Sequence, residues 1–391
     1  MGQRDYNPNG MDYMRRALTL ARRAQGTTSP RPPVGAVLVR DGQVVGEGAT
    51  QPPWGPHGEI VALQAAGERA RGATLYVTLE PCAHYGRTPP CVDAILRAGV
   101  GEVHVPIADG NPQVSGRGFA ALGAAGIPLV MEERFGKEAE ALAAPSVKYV
   151  KTGLPFVIAK FAASLDGKIA TRLGDSKWIT GPAAQAYGHR VRAEVDAIIA
   201  GANTVLADDP ALTARPRGRP QRRQPLRVVV DSLARTPPHA QVITGGGECL
   251  IAVGARAPRK AVEALERAGA SVLGCPGPDQ RVWLSSLLRG LAERNCINVL
   301  VEGGSELVGS FFDGGFVDRV LAFLAPKIIG GREARPAVGG EGAHPLAAAW
   351  RLGPFRLRRL GQDLLIDGLV YRDDASPAPG GIQYAPTTAQ E

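Results

Sequence analysis

Cysteine is scarce in this 391-residue chain. Its five thiols, an odd number, cannot make the disulfide framework of a small secreted domain, and they read instead as ligands, nucleophiles or core residues. Only Cys82 and Cys91 stand in a patterned context, whereas Cys249, Cys275 and Cys296 read as small buried hydrophobes. No apolar run approaches the roughly 20 residues of a membrane span, and Met1 to Gly10 is polar, without the apolar stretch of a signal peptide. These absences lead to the expectation of a cytoplasmic protein with no membrane partner. The formal charge of +8 suits anionic ligands, phosphate and nucleic acid alike. Its densest stretch, Arg215 to Arg227, interleaves Arg217, Arg219, Arg222 and Arg223 with Pro, Gly and Gln but holds no aromatic residue. Single-strand binding adds stacking aromatics to charge, so the middle of this stretch reads as a solvated loop and no nucleic-acid partner is expected.

The length exceeds what one core usually serves, and hydrophobic residues at 44% are ample for two. Asp12 to Ala24 has apolar residues at helical spacing. Val34 to Val39 and Val44 to Glu47, joined by Asp41-Gly42, read as a hairpin. Helices at 57–70, 92–98 and 119–125 then alternate with strands at 74–79, 103–106 and 127–130, the order of an α/β layered domain. A boundary is expected within Pro145 to Pro155. Beyond it come strands at 156–162, 196–200, 226–231, 249–253, 298–301, 317–325 and 365–371, with helices near 182–194, 258–268 and 282–294. The expected division is 1–148 and 149–373, followed by a Pro, Ala, Gly and Thr-rich tail, 374–391, expected to be disordered.

His57 and Glu59 fall at the start of a predicted helix, and Cys82 and Cys91 follow the next strand. One imidazole and two thiolates are donors that Zn²⁺ prefers, and three protein ligands leave a position for water, whose pKa the ion lowers towards about 7. Glu59, two residues from His57, can move a proton from that water to a departing amine without binding the ion. This is the His-x-Glu with Pro-Cys logic of zinc nucleobase deaminases, although eight residues separate the cysteines here instead of two. A purely structural zinc site is the alternative, for which His84 is the candidate fourth ligand.

The run Tyr76-Val77-Thr78-Leu79-Glu80-Pro81-Cys82-Ala83-His84-Tyr85-Gly86-Arg87-Thr88-Pro89-Pro90-Cys91 resembles the zinc motif of the bifunctional riboflavin-biosynthesis deaminase-reductases, which share its longer cysteine spacing. The resemblance spans nearly the whole chain except the tail. It implies an α/β chain in which an N-terminal cytidine-deaminase-like three-layer sandwich is joined to a C-terminal dihydrofolate-reductase-like domain. It further implies zinc ligands His57, Cys82 and Cys91, with Glu59 as the proton shuttle. The family usually has Asn where this chain has Arg31, Ala where it has Gly58, often His near Thr50 and often Arg at Gln185.

In the second half, Lys160 to Ala170 leaves a strand and enters a Gly turn, Ser176 to Gly181 follows, and Gly201 to Pro210 with Leu212 to Arg215 reads as a polar loop after a strand. Val299 to Leu307 is a strand running through Gly303-Gly304 into a helix, a weak signal alone because the full Gly-x-Gly-x-x-Gly fingerprint is missing. In order and spacing these segments resemble the reductase half of the same family. That implies NADPH contacts at Ala162, Trp178, Thr204, Asp208, Ser232 and the turn Gly304, Ser305, Glu306, Leu307, Val308, Gly309 and Ser310. It implies substrate contacts at Ser176, Arg192, Leu212, Arg215 and Glu302. Arg192 and Arg215 suit a ribose phosphate through charge-assisted guanidinium bonds. Lys160 and Asp208 are the candidate proton donors.

The expected function is therefore two steps of riboflavin synthesis on a phosphorylated pyrimidine: zinc-dependent hydrolytic deamination, then NADPH-dependent reduction of ribosyl to ribityl. A tRNA-editing deaminase would instead carry RNA-binding modules in its second half, which reads as α/β without a stacking motif. A non-catalytic zinc-stabilised binding protein is disfavoured by Glu59, and a paralogue acting on a related pyrimidine stays open. So does the oligomeric state, a homo-oligomer included.

Overall fold

The computed structural model describes residues 12–371 except 87, 88, 113, 222 and 278, so the tail and part of the zinc motif lie outside the described residues. The chain divides into two compact units, Met1–Lys151 and Thr152–Glu391.

The first unit opens on α1 (Tyr13–Ala24), whose first turn is capped by the Asp12 carboxylate accepting from the Arg15 N–H. Strands β1 (Gly35–Arg40) and β2 (Gln43–Ala49) form the expected hairpin, and Asp41 and Gly42 both take positive φ, the conformation a tight two-residue turn requires. Then follow α2 (Gly58–Ala66), β3 (Thr74–Val77), α3 (Cys91–Ala98), β4 (Glu102–Val105), α4 (Arg117–Ala124), β5 (Leu129–Met131) and α5 (Gly136–Thr152). The sheet runs β2-β1-β3-β4-β5, antiparallel up to β3 and parallel beyond it. Alternation along β1 decides the layers. Ala36 and Leu38 point to a core shared with α2, α3 and α4, and Val37 and Val39 to one shared with α1 and α5. The three-layer expectation is met, with one addition: α5 runs through Pro145 to Thr152, where the sequence reading has only a boundary.

The second unit contains β6 (Phe156–Ser164), β7 (Lys168–Ala170), α6 (Pro182–Glu194), β8 (Ala197–Gly201), α7 (Ala202–Asp208) and β9 (Leu226–Val230). It continues with α8 (Gln241–Thr244), β10 (Cys249–Val253), α9 (Arg259–Arg267), β11 (Ser271–Gly274), α10 (Gln280–Ala292), β12 (Asn298–Val301) and α11 (Ser305–Asp313). Last come β13 (Arg319–Ala325), β14 (Arg335–Pro336), β15 (Arg351–Leu352), β16 (Arg356–Leu360) and β17 (Asp363–Tyr371). The main sheet has the order β11-β10-β9-β8-β12-β6-β13-β17-β15, parallel from β11 to β13, with β16 also on β17. Because β12 returns between β6 and β8, the strand order reverses there, and ligands in open α/β sheets bind outside the carboxyl ends at such a point. One expectation is corrected. Residues 202–208 form a helix instead of a polar loop. The middle of the basic stretch is exposed at Arg219, Gln221 and Arg223, as expected, with Arg223 pairing with Asp196, while Arg227 in β9 is fully buried and bonds the carbonyls of Glu248, Gln241 and Gly247. Cys249, Cys275 and Cys296 are buried as expected, and burial pushes their thiols up to about 11, 11 and 12.

Helix α2 lies directly on β2. A Cβ added at Gly46 would stand 2.3 Å from the Ala62 carbonyl oxygen, and one at Gly48 2.7 Å from that of Gly58. Gly46→Ala is therefore expected to destabilise the first unit by about 1–3 kcal/mol through overpacking. Urea unfolding followed by a probe in that unit checks this; parent-like stability would mean that α2 moves without cost.

Candidate active sites

In the first unit, His57 is the N-cap of α2, Cys91 opens α3 and Cys82 lies between β3 and α3. The Cys91 N–H donates to Cys82 Sγ at 3.4 Å, and His57 Nδ1 stands 3.7 Å from Cys82 Sγ and 3.3 Å from Cys91 Sγ. All three donor atoms lie within 4.8 Å of one another, and His84, which is exposed, is not part of the group. The donor set is one that zinc favours, and its spacing fits a single ion. Hydrogen bonding from Cys91 lowers the Cys82 thiol, against the opposing effect of burial, and raises that of Cys91 itself. Glu59, on the first turn of α2, is 3% exposed, and its Oε2 has no hydrogen-bond partner. Burial pushes its carboxyl above the usual range, partly offset by His57.

The positions where this chain differs from the resembled family have work of their own. Arg31 donates from Nη1 to the Gly55 carbonyl at 2.8 Å and from Nη2 to those of Gln51 and Pro52, clamping the loop that leads into His57. A Cβ at Gly58 would meet the Val34 oxygen at 2.6 Å, so a side chain here would force the backbone to shift. The buried Thr50 hydroxyl accepts from the Val34 N–H. In the other unit, Gln185 donates to the Thr180 carbonyl at 3.0 Å.

That second unit holds a cleft of about 480 Å³ at the strand-order reversal. Among its lining residues are Ala162, Ser176, Trp178, Thr204, Asp208, Arg192, Leu212, Arg215 and Glu302, all expected from the sequence. Lys160 and Glu302 meet because Val301 of β12 pairs with Ala159 of β6, placing the next residues side by side. Lys160 Nζ donates to Glu302 Oε1 and Arg192 Nε to Glu302 Oε2, both at 2.8 Å. Burial opposes the charge of Glu302, but Arg192 and Lys160 together hold its carboxyl well below the usual carboxylate range. Arg192, which lines the cleft, is engaged through Nε by Glu302 and through Nη1 by the Thr213 carbonyl. Arg215 is exposed and lines a smaller adjoining cleft of about 340 Å³ with Gln185, His189 and Gly218. His189, not expected from the sequence, is held through Nδ1 beside the Thr213 carbonyl and the Arg215 N–H.

The other expected cofactor residues lie apart from the lining of these clefts. Ser232 is exposed in the turn after β9. Gly304 donates its N–H to Thr204 Oγ1 at 3.1 Å, tying the start of α11 to the start of α7. Ser305 Oγ is buried without a partner, Glu306 is exposed, Leu307, Val308 and Gly309 are buried, and Ser310 accepts from Gln280 Nε2 and donates to the Glu306 carbonyl.

A three-donor metal cluster beside a buried acid on one sheet, and a charged cleft at the switch point of another, define a zinc-dependent deaminase joined to a reductase. Comparisons with known proteins agree. Residues 9–106 match the cytidine and deoxycytidylate deaminase zinc-binding region, and residues 155–366 match the RibD C-terminal domain. The riboflavin biosynthesis protein RibD of Actinobacillus pleuropneumoniae is 41% identical over 362 residues, 92% of this chain and 95% of that protein. RibD of Escherichia coli is 40% identical over 364 residues, 90% and 97% of the two chains. The structure of Acinetobacter baumannii RibD superposes with a TM-score of 0.77 at 35% identity, covering 92% of this chain and 98% of that one. A diaminohydroxyphosphoribosylaminopyrimidine deaminase/5-amino-6-(5-phosphoribosylamino)uracil reductase from Thermotoga maritima gives 0.75 at 33% identity, covering 91% and 97%. The chain belongs to the RibD family, the bifunctional deaminases and reductases of riboflavin biosynthesis. Among the described residues, no helix is long and apolar enough to cross a membrane.

The Glu302 triad gives a pH prediction. Its carboxyl is lowered in the folded state, so its contribution to stability is complete above the ordinary glutamate value of about 4.3 and is lost as pH falls through the depressed one. Glu302→Gln leaves two cations without their counter-charge, which is expected to cost about 3–5 kcal/mol near pH 7. It should also flatten the acid limb of the stability profile of the reductase unit. Denaturation at several pH values checks both, and an unchanged acid limb would show that the triad does not control it.

Proposed function

We propose that residues 1–148 deaminate 2,5-diamino-6-(5-phosphoribosylamino)pyrimidin-4-one and residues 149–373 reduce the ribosyl group of the product to ribityl, in the cytoplasm. The observation that carries the first step is the convergence of His57, Cys82 and Cys91 beside a buried acid whose Oε2 lacks a partner. Those three side chains would hold zinc, which when bound supplies a Lewis acid that makes a water nucleophilic near neutral pH. Glu59 takes the proton of the attacking water and gives it to the amine that leaves as ammonia. The Arg31 clamp on 51–55 holds the entrance to His57 in place.

For the second step, NADPH supplies the hydride. Ala162, Trp178, Thr204 and Asp208 would hold it along the cleft, with Ser232 and the α11 turn from Gly304 to Ser310 as its outer contacts. Glu302, fixed between Lys160 and Arg192, orients the sugar together with Ser176 and Leu212, and Lys160 and Asp208, which line the same cleft, are the candidates to deliver a proton. The exposed guanidinium of Arg215 binds the substrate phosphate, with His189 beside it.

Two substitutions separate the steps. Glu59→Gln keeps shape but cannot carry a proton, so ammonia release should fall by about 10²- to 10⁴-fold while NADPH oxidation with already deaminated substrate stays close to parent. Loss of both reactions from a folded, zinc-loaded protein would overturn the two-site reading. Arg215→Ala should weaken binding of the phosphorylated substrate of the reductase roughly ten- to hundredfold. An unchanged KM would remove Arg215 from the phosphate site.

A further inference from the structure

Glu80 stands two residues before Cys82 and is 3% exposed, and its carboxylate reaches backbone N–H groups between β4 and α4 and within the first turn of α4. Its Oε2 accepts from the N–H groups of Asp109 at 2.9 Å and Gly116 at 3.0 Å, and its Oε1 from those of Gly118 at 2.8 Å and Phe119 at 3.2 Å. A carboxylate has about four acceptor sites, so these four backbone donors use its whole capacity. The arrangement repairs a local deficiency. Gly116, the N-cap of α4, takes φ +78° and has no side chain to cap the helix. The N–H groups of Gly118 and Phe119, which an N-cap side chain would normally receive, are taken by Glu80 from another part of the chain. The negative charge also suits the helix N-terminus.

The consequence reaches the metal donors because Pro81, with its fixed φ, is the sole residue between Glu80 and Cys82. Gly118 presses on the same joint: a Cβ there would lie 2.1 Å from the Pro81 oxygen and 3.0 Å from Glu80 Cγ. Cys82 in turn accepts the Cys91 N–H at Sγ and the Val92 N–H at its carbonyl, so the start of α3 is referenced to the same point. We propose that Glu80 is a positioning residue for deamination: by gathering the backbone N–H groups of Asp109, Gly116, Gly118 and Phe119 it fixes Pro81 and sets Cys82 in register with Cys91 and His57. This rests on the reading of His57, Cys82 and Cys91 as zinc ligands.

Cobalt(II)-loaded full-length chain tests it, since cobalt absorption reports thiolate geometry directly. Glu80→Gln keeps the shape but sets an amide NH₂ against backbone donors. Removing such a support for a ligand typically costs ten- to hundredfold in metal affinity or activity. The expected result is shifted cobalt bands, metal release to a chelator at least about tenfold faster, and a fall in deaminase kcat, with NADPH oxidation of deaminated substrate unchanged. A purely structural cap would lower the melting temperature and leave the bands and kcat alone, and that result overturns the proposal. Where the Glu80→Gln deaminase unit does not fold, Gly118→Ala decides, because it strains the Pro81 joint with Glu80 intact: shifted bands support the proposal and parent bands overturn it. A Cys82→Ser chain that keeps the parent cobalt bands would instead show that the ligand reading is at fault.

Discussion

An imidazole and two thiols must meet within a few ångströms although they come from two stretches of chain, and the deaminase half is built around that requirement. His57 is placed by α2, which rests on β2 where Gly46 and Gly48 allow backbone to touch backbone. Cys82 and Cys91 are placed by the loop between β3 and α3. The two stretches are joined through the sheet itself: β1 pairs with both β2 and β3, and the Thr78 hydroxyl accepts the Gly35 N–H. A shift of any one layer would separate the imidazole from the sulfurs, since interiors packed this closely do not deform smoothly.

The two halves use a buried glutamate in opposite ways. Glu59 has an oxygen without a partner, and burial raises its carboxyl, which suits a group that must both take and give a proton. Glu302 is bound on both oxygens by cations that hold its carboxyl far down, which suits a fixed charge that orients other groups and does not exchange protons. In the proposed mechanism the same side chain is the proton carrier in one unit and the electrostatic frame in the other, and the difference follows from its neighbours.

Much of this was legible in the sequence because it is local. The hairpin at Asp41-Gly42, the α2 start carrying His57 and Glu59, and the cysteine-bearing run all follow from residues close together in the chain. What escaped depends on distant partners. The commitment of Arg192 to Glu302 spans 110 residues and follows from β12 returning between β6 and β8, which no periodicity reveals. The burial of Arg227 needs carbonyls from 241–248 that only the folded sheet supplies. Arg31 looks like the loss of an amide until the carbonyls of the 51–55 loop are seen around it. Pro145 reads as a break, yet α5 carries it in its interior while Leu142 and Ala143 on either side of the helix bury into both cores.

The central claim is that one chain performs deamination and reduction in sequence at two sites. Its most direct test is to mix the zinc-loaded chain with the phosphorylated diaminopyrimidinone and NADPH and follow ammonia and NADPH together in time. With the two sites acting in sequence, ammonia appears first, NADPH oxidation follows after a lag, and the two reach equal molar amounts. NADPH oxidation that starts without ammonia release, or proceeds in its absence, would contradict it.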